Sequence, residues 1–303
     1  MDIAVTGSTG LIGTALCRRL EADGDRVIRV VRRPVAGGEA AIQWDPVAGT
    51  IDAASLEGVG AVVHLAGAGI GDKRWSAERK REILESRTKG TALLAATLAG
   101  LERKPDVLVS GSAIGFYGDR GDEVLTEQSA PGDDFLAEIC TAWEAEARPA
   151  ADAGVRVATI RTGVVLSLDG GALAKLLPLF KVGAGGKFGS GRQWWSWISL
   201  DDEIAAIRHL IDHPVSGPVN LTAPNPETNA AFTKVLGRVL GRPSFLAVPA
   251  FGPKLVVGGE LAEALLFTSA RVLPEALESS GFTFAHPDLE SALRSVLGKE
   301  NKP

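Results

Sequence analysis

From Met1 to about Leu166 short apolar, β-branched runs alternate with longer segments in which apolar positions recur every three or four residues. The short runs predict strands at Ile3–Thr6, Arg26–Val31, Ala41–Trp44, Ala61–Leu65, Asp106–Ser110 and Arg156–Ile160, with a seventh near Pro218–Leu221. The longer segments predict helices over Ile12–Ala22, stopped by Gly24, from Ser76 to about Leu98, and over Asp201–His213. Strands separated by helices pair in parallel, and right-handed crossovers place the helices on both faces, so the pattern predicts an α/β fold with a doubly wound parallel sheet. The rhythm breaks at the Gly-rich stretch 183–191 and again after Pro226. Residues 1–165, completed by about 199–225, are therefore expected to form the sheet domain, and 166–303 mainly a smaller domain over the carboxyl ends of the strands.

Composition narrows the classes without naming a chemistry. Hydrophobic residues make up 45% and charged residues 23% of 303, as in a soluble globular protein. A net charge of −5, with no Lys/Arg cluster interleaved with aromatics, argues against a nucleic-acid partner. Cys17 and Cys140 lie inside predicted helices, which suits a reducing compartment, and with four scattered histidines they give no metal-ligand spacing. Met1 leads straight into a strand, and no run approaches the ~20 apolar residues that span a bilayer. A cytoplasmic protein without metal or membrane partner is expected, as monomer or homodimer.

The first strand runs into "TGSTGLIGTAL", which puts Gly7, Gly10 and Gly13 at a strand–turn–helix junction. Gly7 permits a tight turn, Gly10 lets backbone approach a pyrophosphate, and Gly13 lets helix and strand pack closely, with phosphates at the helix N-terminus. A dinucleotide site is predicted over Gly7, Ser8, Thr9, Gly10, Leu11, Ile12 and Gly13. Where an NAD-binding chain has an acid after the second strand, this one has Arg32 and Arg33 in "VVRRP". Guanidinium groups there suit the 2′-phosphate of NADP.

With "AVVHLAG" and "VSGSAIGFYGD", these motifs resemble the extended short-chain dehydrogenase/reductases. "GDKRWSAERKREILESRTKGT", "FLAEICTAWE", "IRTGVVLSLDGGAL", "GSGRQWWSWISLDD" and "RVLPEALESSGFTFAHPDLESAL" are similar to an atypical branch, the epimerase family proteins, also described as SulA-type. The resemblance spans essentially the whole chain. It implies a Rossmann fold that binds NADP, a small C-terminal domain, and cofactor contacts at the glycine turn, at Arg32, along Leu65, Ala66 and Gly67, at Glu82 and Arg87, and near Val165. His64 on the buried "HLAG" strand is expected to be a satisfied core residue.

Typical members of the superfamily join a Ser or Thr after the fifth strand to a Tyr-x-x-x-Lys pair on the next helix. The tyrosine moves a proton, and the lysine charge lowers a phenol pKa otherwise near 10. Set by Glu144, the register of "DDFLAEICTAWE" puts Leu136 and Cys140 in the tyrosine and lysine places. The chain has one tyrosine, so any tyrosine chemistry belongs to Tyr117. Ser112 and Tyr117 are the catalytic candidates; in the other reading the Tyr117 ring packs and its hydroxyl bonds backbone. On the substrate side, strand alternation puts Trp195 and Trp197 on one face and Trp194 on the other. Gln193 and Trp197 are the candidates there, although the same rings could fasten the small domain to the large one. Ser199 and Asp202 read as a helix cap. Two functions fit: an NADP-dependent oxidoreductase or epimerase acting on a small carbonyl or hydroxyl compound, or an NADP-binding regulator without turnover.

Overall fold

A computed structural model describes residues 1–33 and 41–299. The strands in chain order are β1 (Asp2–Thr6), β2 (Arg26–Val31), β3 (Ala41–Asp45), β4 (Thr50–Ile51), β5 (Ala61–His64), β6 (Val107–Ala113), β7 (Val124–Leu125), β8 (Arg156–Thr162), β9 (Val164–Leu166), β10 (Gly186–Phe188), β11 (Trp194–Trp195), β12 (Trp197–Ser199), β13 (Gly217–Leu221), β14 (Glu227–Thr228), β15 (Leu246–Val248) and β16 (Arg271–Val272). The helices are α1 (Leu11–Ala22), α2 (Ala77–Gly100), α3 (Phe135–Ala145), α4 (Arg148–Asp152), α5 (Gly171–Lys181), α6 (Leu200–Asp212), α7 (Asn229–Leu240), α8 (Phe251–Val257), α9 (Gly259–Ala262), α10 (Glu275–Ser279) and α11 (Leu289–Val296).

The large sheet has the order β13-β8-β6-β5-β1-β2-β3-β4, parallel except for the β3–β4 hairpin. This is the Rossmann arrangement, and chain direction across the sheet reverses between β1 and β5. Alternation along β1 sends Ile3 and Val5 into one core with Leu16 and Leu20 of α1 and Ile207 of α6, and Ala4 into the other with Leu94 and Leu98 of α2. Each such Leu, removed from water, contributes about 1.5–3 kcal/mol. The ends of α2 and α6 match their caps: Ser76 Oγ accepts from Arg79 N and Ser199 Oγ from Asp202 N.

A separate core joins Leu173, Leu177 and Phe180 of α5, Phe232 and Leu236 of α7, Leu293 of α11, and Trp195 and Trp197. Two separate two-stranded ladders, β12 on β9 and β16 on β7, tie residues 197–199 and 271–272 to the segments that follow β8 and β6. Among the described residues no helix is long and apolar enough to cross a membrane, and no group of His, Cys, Asp or Glu could hold a metal ion.

Candidate active site

The turn after β1 has the geometry its glycines demand. Gly7 adopts φ +66°, and a Cβ there would lie 2.7 Å from the Leu65 carbonyl. A Cβ on Gly13 would come 2.2 Å from Gly7 O, so α1 meets the turn at backbone contact. Gly10 precedes α1 with no side-chain cap, leaving first-turn N–H groups free to meet an anion. Ser8 is 3% exposed with its hydroxyl unpartnered, Thr9 is exposed, and Leu11 and Ile12 are half-buried. Arg32 and Arg33 stand exposed beyond β2, where Arg32 borders a cavity of about 240 Å³ with Gln43 and Thr50. The residues present thus fit a dinucleotide: a pyrophosphate cradle at a helix N-terminus, with two cations one strand away.

The neighbouring strand end is fixed from beneath. Thr6 Oγ1 accepts from Leu65 N and Ala66 N, so its own proton goes to His64 Nδ1 at 2.7 Å, and His64 Nε2 then donates to Thr91 Oγ1 at 2.9 Å. Burial pushes the His64 pKa down to about 4, which keeps the ring neutral. The histidine is a core residue that sets the position of Leu65 and Ala66.

The loop from Gly67 onward is held by α2. Arg87 Nη1 donates to Ala68 O at 2.9 Å, Ser86 Oγ accepts from Ala68 N, and Arg79 donates to Gly69 O. The Arg87 guanidinium lies where it would press on a Gly67 Cβ, 5.1 Å from the Trp143 ring centroid. Burial lowers its pKa to about 10, so it remains a cation. Glu82 occupies another face of α2: it is exposed and accepts from Arg79 Nη1 at 2.6 Å, a bond that holds its carboxyl below the usual range. Val165 is half-buried in β9 and packs on the α1 side of the sheet.

The catalytic candidates take different surroundings from those a free acid or base would need. Ser112 is 6% exposed and donates its proton to Glu144 Oε1 at 2.7 Å; Glu144 is clamped by Arg161 through Nε and Nη2, both at 2.9 Å. An ionised carboxylate only accepts, so the Ser112 hydroxyl offers lone pairs, not a proton, to anything above it. Tyr117 is 0% exposed; its hydroxyl donates to Asn220 Oδ1 at 2.6 Å and accepts from Arg161 Nη1 at 3.0 Å. Its pKa is raised, chiefly by burial. The expectation that Tyr117 faces the cofactor is corrected: the phenol sits in the core, bonding side chains of β8 and β13 where a bond to backbone was the other expectation. Leu136 and Cys140 are buried on α3, and burial, reinforced by Glu144, drives the Cys140 thiol up to about 11.

On the substrate side Trp197 is also corrected. It is 0% exposed, its indole N–H donates to Asn225 O at 3.1 Å, and it belongs to the small-domain core together with Trp195. Gln193 is 8% exposed and gives its amide N–H groups to Phe188 O and Leu266 O. Between the Gly67–Trp75 loop and residues 251–267 lies a packed apolar contact, in which Ile70, Trp75, Phe135 and Ala264 pack against Ile83, Leu136 and Ile139. Polar bonds rim this contact: Arg74 donates to Leu255 O and Val256 O, Lys80 pairs with Glu260, and Lys175 donates to Gly71 O.

Residues 3–222 match the sequence profile of the NAD dependent epimerase/dehydratase family. The chain belongs to that family. Within the epimerase/dehydratase family it is 44% identical over 292 residues to epimerase family protein Mb2239 of Mycobacterium bovis, covering 96% of each chain. It is 40% identical over 306 residues to a chloroplastic epimerase family protein SDR39U1 homolog of Arabidopsis thaliana, covering 98% of this chain and 87% of that one. Its fold superposes on the crystal structure of human epimerase family protein SDR39U1 with NADPH at a TM-score of 0.90 and 35% identity, covering 100% of both chains. Residues 248–296 match DUF1731, a domain of unknown function.

Proposed function

We propose that this epimerase-family chain binds NADP at the Gly7–Gly13 turn, with Arg32 and Arg33 on the 2′-phosphate, and acts as an oxidoreductase or nucleotide-sugar-epimerase-like enzyme on a small carbonyl or hydroxyl compound. The human relative solved with NADPH supports the choice of nucleotide. The bound nucleotide supplies hydride exchange. The reading rests on one observation about this chain's own residues: the Arg87 guanidinium of α2 is held on Ala68 O at 2.9 Å and lies 5.1 Å from the Trp143 ring of α3, the helix on which Cys140 takes the place of the missing lysine. A fixed guanidinium there stabilises negative charge developing on a substrate oxygen, while Ser112, its proton held by Glu144, accepts a hydrogen bond from a substrate hydroxyl.

The test is incubation with NADPH and fractionated small carbonyl metabolites, following absorbance and product mass. Turnover that is lost in Arg87→Ala supports the enzyme. Tight NADPH binding without turnover of any fraction favours a second reading, a nucleotide-binding regulator, which the burial of Tyr117 and Cys140 also suits.

A further inference from the structure

Charge is segregated along this chain to an unusual degree. Residues 171–200 and 228–259 carry eight Lys and Arg and no Asp or Glu, in a protein with 37 acids and a net charge of −5. These two stretches supply α5, β10, β11, α7, β15 and α8, which form most of the small domain.

Exposed apolar side chains are concentrated in overlapping segments, the second of which runs on past Glu260 and Glu263. Of the twelve exposed large hydrophobics among the described residues, eight fall within 179–182 and 245–265. Val182 is 78% exposed, Phe245 84%, Phe251 67%, Leu255 71% and Val256 74%. They form one neighbourhood: a Cβ on Gly183 would lie 3.5 Å from Pro243, β15 pairs with β10, and two residues separate β15 from α8. None of the residues of α8 is buried. Lys181 and Arg242 stand exposed among them. A soluble surface seldom leaves so many large apolar groups together without a partner.

We infer that this face of the small domain docks on an anionic lipid surface. Phe245, Phe251, Leu255 and Val256 enter the headgroup–acyl boundary, and Lys181 and Arg242 meet lipid phosphates. Such docking lies in the membrane plane and needs no spanning segment, so the expected absence of a membrane partner is revised to a surface contact. A second copy of the chain fits the face less well. A two-fold contact would oppose Lys181 and Arg242 to their own images or to one another, and the acids that adjoin the face, Glu260 and Glu263, are already paired with Lys80 and Lys254.

The test is co-sedimentation of the full chain with vesicles of phosphatidylcholine alone or with about one-third phosphatidylglycerol. Binding is expected only to the anionic vesicles and should weaken as salt rises. Phe245→Glu with Phe251→Glu, and separately Lys181→Glu with Arg242→Glu, should each weaken it by roughly tenfold or more. Unchanged thermal unfolding and NADPH affinity show that both variants are folded, and because vesicle binding requires no turnover, its outcome is independent of the proposed catalysis. No sedimentation with anionic vesicles, or equal sedimentation of all variants, overturns the inference. So does a concentration-dependent dimer abolished by the Phe substitutions, or binding to polyglutamate without binding to vesicles.

Discussion

The Tyr117 hydroxyl donates to Asn220 Oδ1 at 2.6 Å across 103 residues of sequence, wholly out of contact with solvent. Arg161, stacked 3.4 Å from the Phe116 ring centroid, donates to the same phenol oxygen, so the tyrosine ties β8 and β13 to the loop after β6. Tyr117→Phe leaves an Asn220 acceptor and an Arg161 donor without their partner. It is expected to lower stability by about 1–3 kcal/mol in denaturant unfolding while NADPH affinity, measured by fluorescence titration, stays unchanged. A selective loss of NADPH binding or of turnover in a stably folded variant would restore the phenol to the site.

Arg32 and Arg33 stand exposed at the end of β2, and Arg32 shares its cavity with Asp45 and Asp52. Arg32→Glu combined with Arg33→Ala should raise the dissociation constant for NADPH by roughly 100-fold and leave NADH within about threefold, since only the former carries the 2′-phosphate. Calorimetric titration of both nucleotides checks it, and equal losses for the two would place the arginines elsewhere.

Glu203 is a buried acid without a cation. It is 0% exposed, accepts from Thr162 Oγ1 at 2.8 Å, and leaves its second oxygen unpartnered. Burial raises its pKa from 4.5 to about 8, so the folded chain holds a proton that the unfolded chain releases. That contribution to stability is complete below about pH 4.5 and falls as pH rises towards 8, with a limiting slope of about 1.4 kcal/mol per pH unit. Glu203→Gln keeps an acceptor for Thr162 and removes the titration. Its unfolding free energy should depend less on pH across that window and exceed the parent's at pH 8, as guanidinium titrations at several pH values would reveal.

Cys140 should be chemically silent while the chain is folded. It is 4% exposed with a thiol pKa of about 11, whereas alkylation requires the thiolate. Iodoacetamide at neutral pH is expected to leave it unmodified in the native protein and to label it quickly in denaturant, read by peptide mass. Rapid native labelling that NADPH blocks would place the thiol in an open cofactor site.

The periodic elements were legible because each carries its own signal. Ser76 before "AERKREIL" starts α2, and Gly7, Gly10 and Gly13 mark a turn that needs glycine at its first and last positions. What spacing could not show was depth. Tyr117 and Trp197 have the chemistry of site residues, and both are core residues because β13 and the small-domain core close over them. Arg161 and Glu144 lie 17 positions apart, so no local spacing pairs them, although an arginine inside the apolar run "VATIRTG" requires a buried partner. Glu203 beside "IAAI" carried the same kind of signal.

The interlock around Glu127 has a consequence for inheritance. Its Oε1 accepts from Asn220 N on the edge strand and from Ala276 N near the C-terminus, Asn220 Nδ2 donates to Leu273 O, and β7 has β16 as its neighbour. A gene cut after residue 222 would follow the border between the two homologous stretches and still sever all the bonds reaching residues 271–276. The two stretches can be read as separate words in sequence, but evolution has to copy, lose or recombine them as a single sentence.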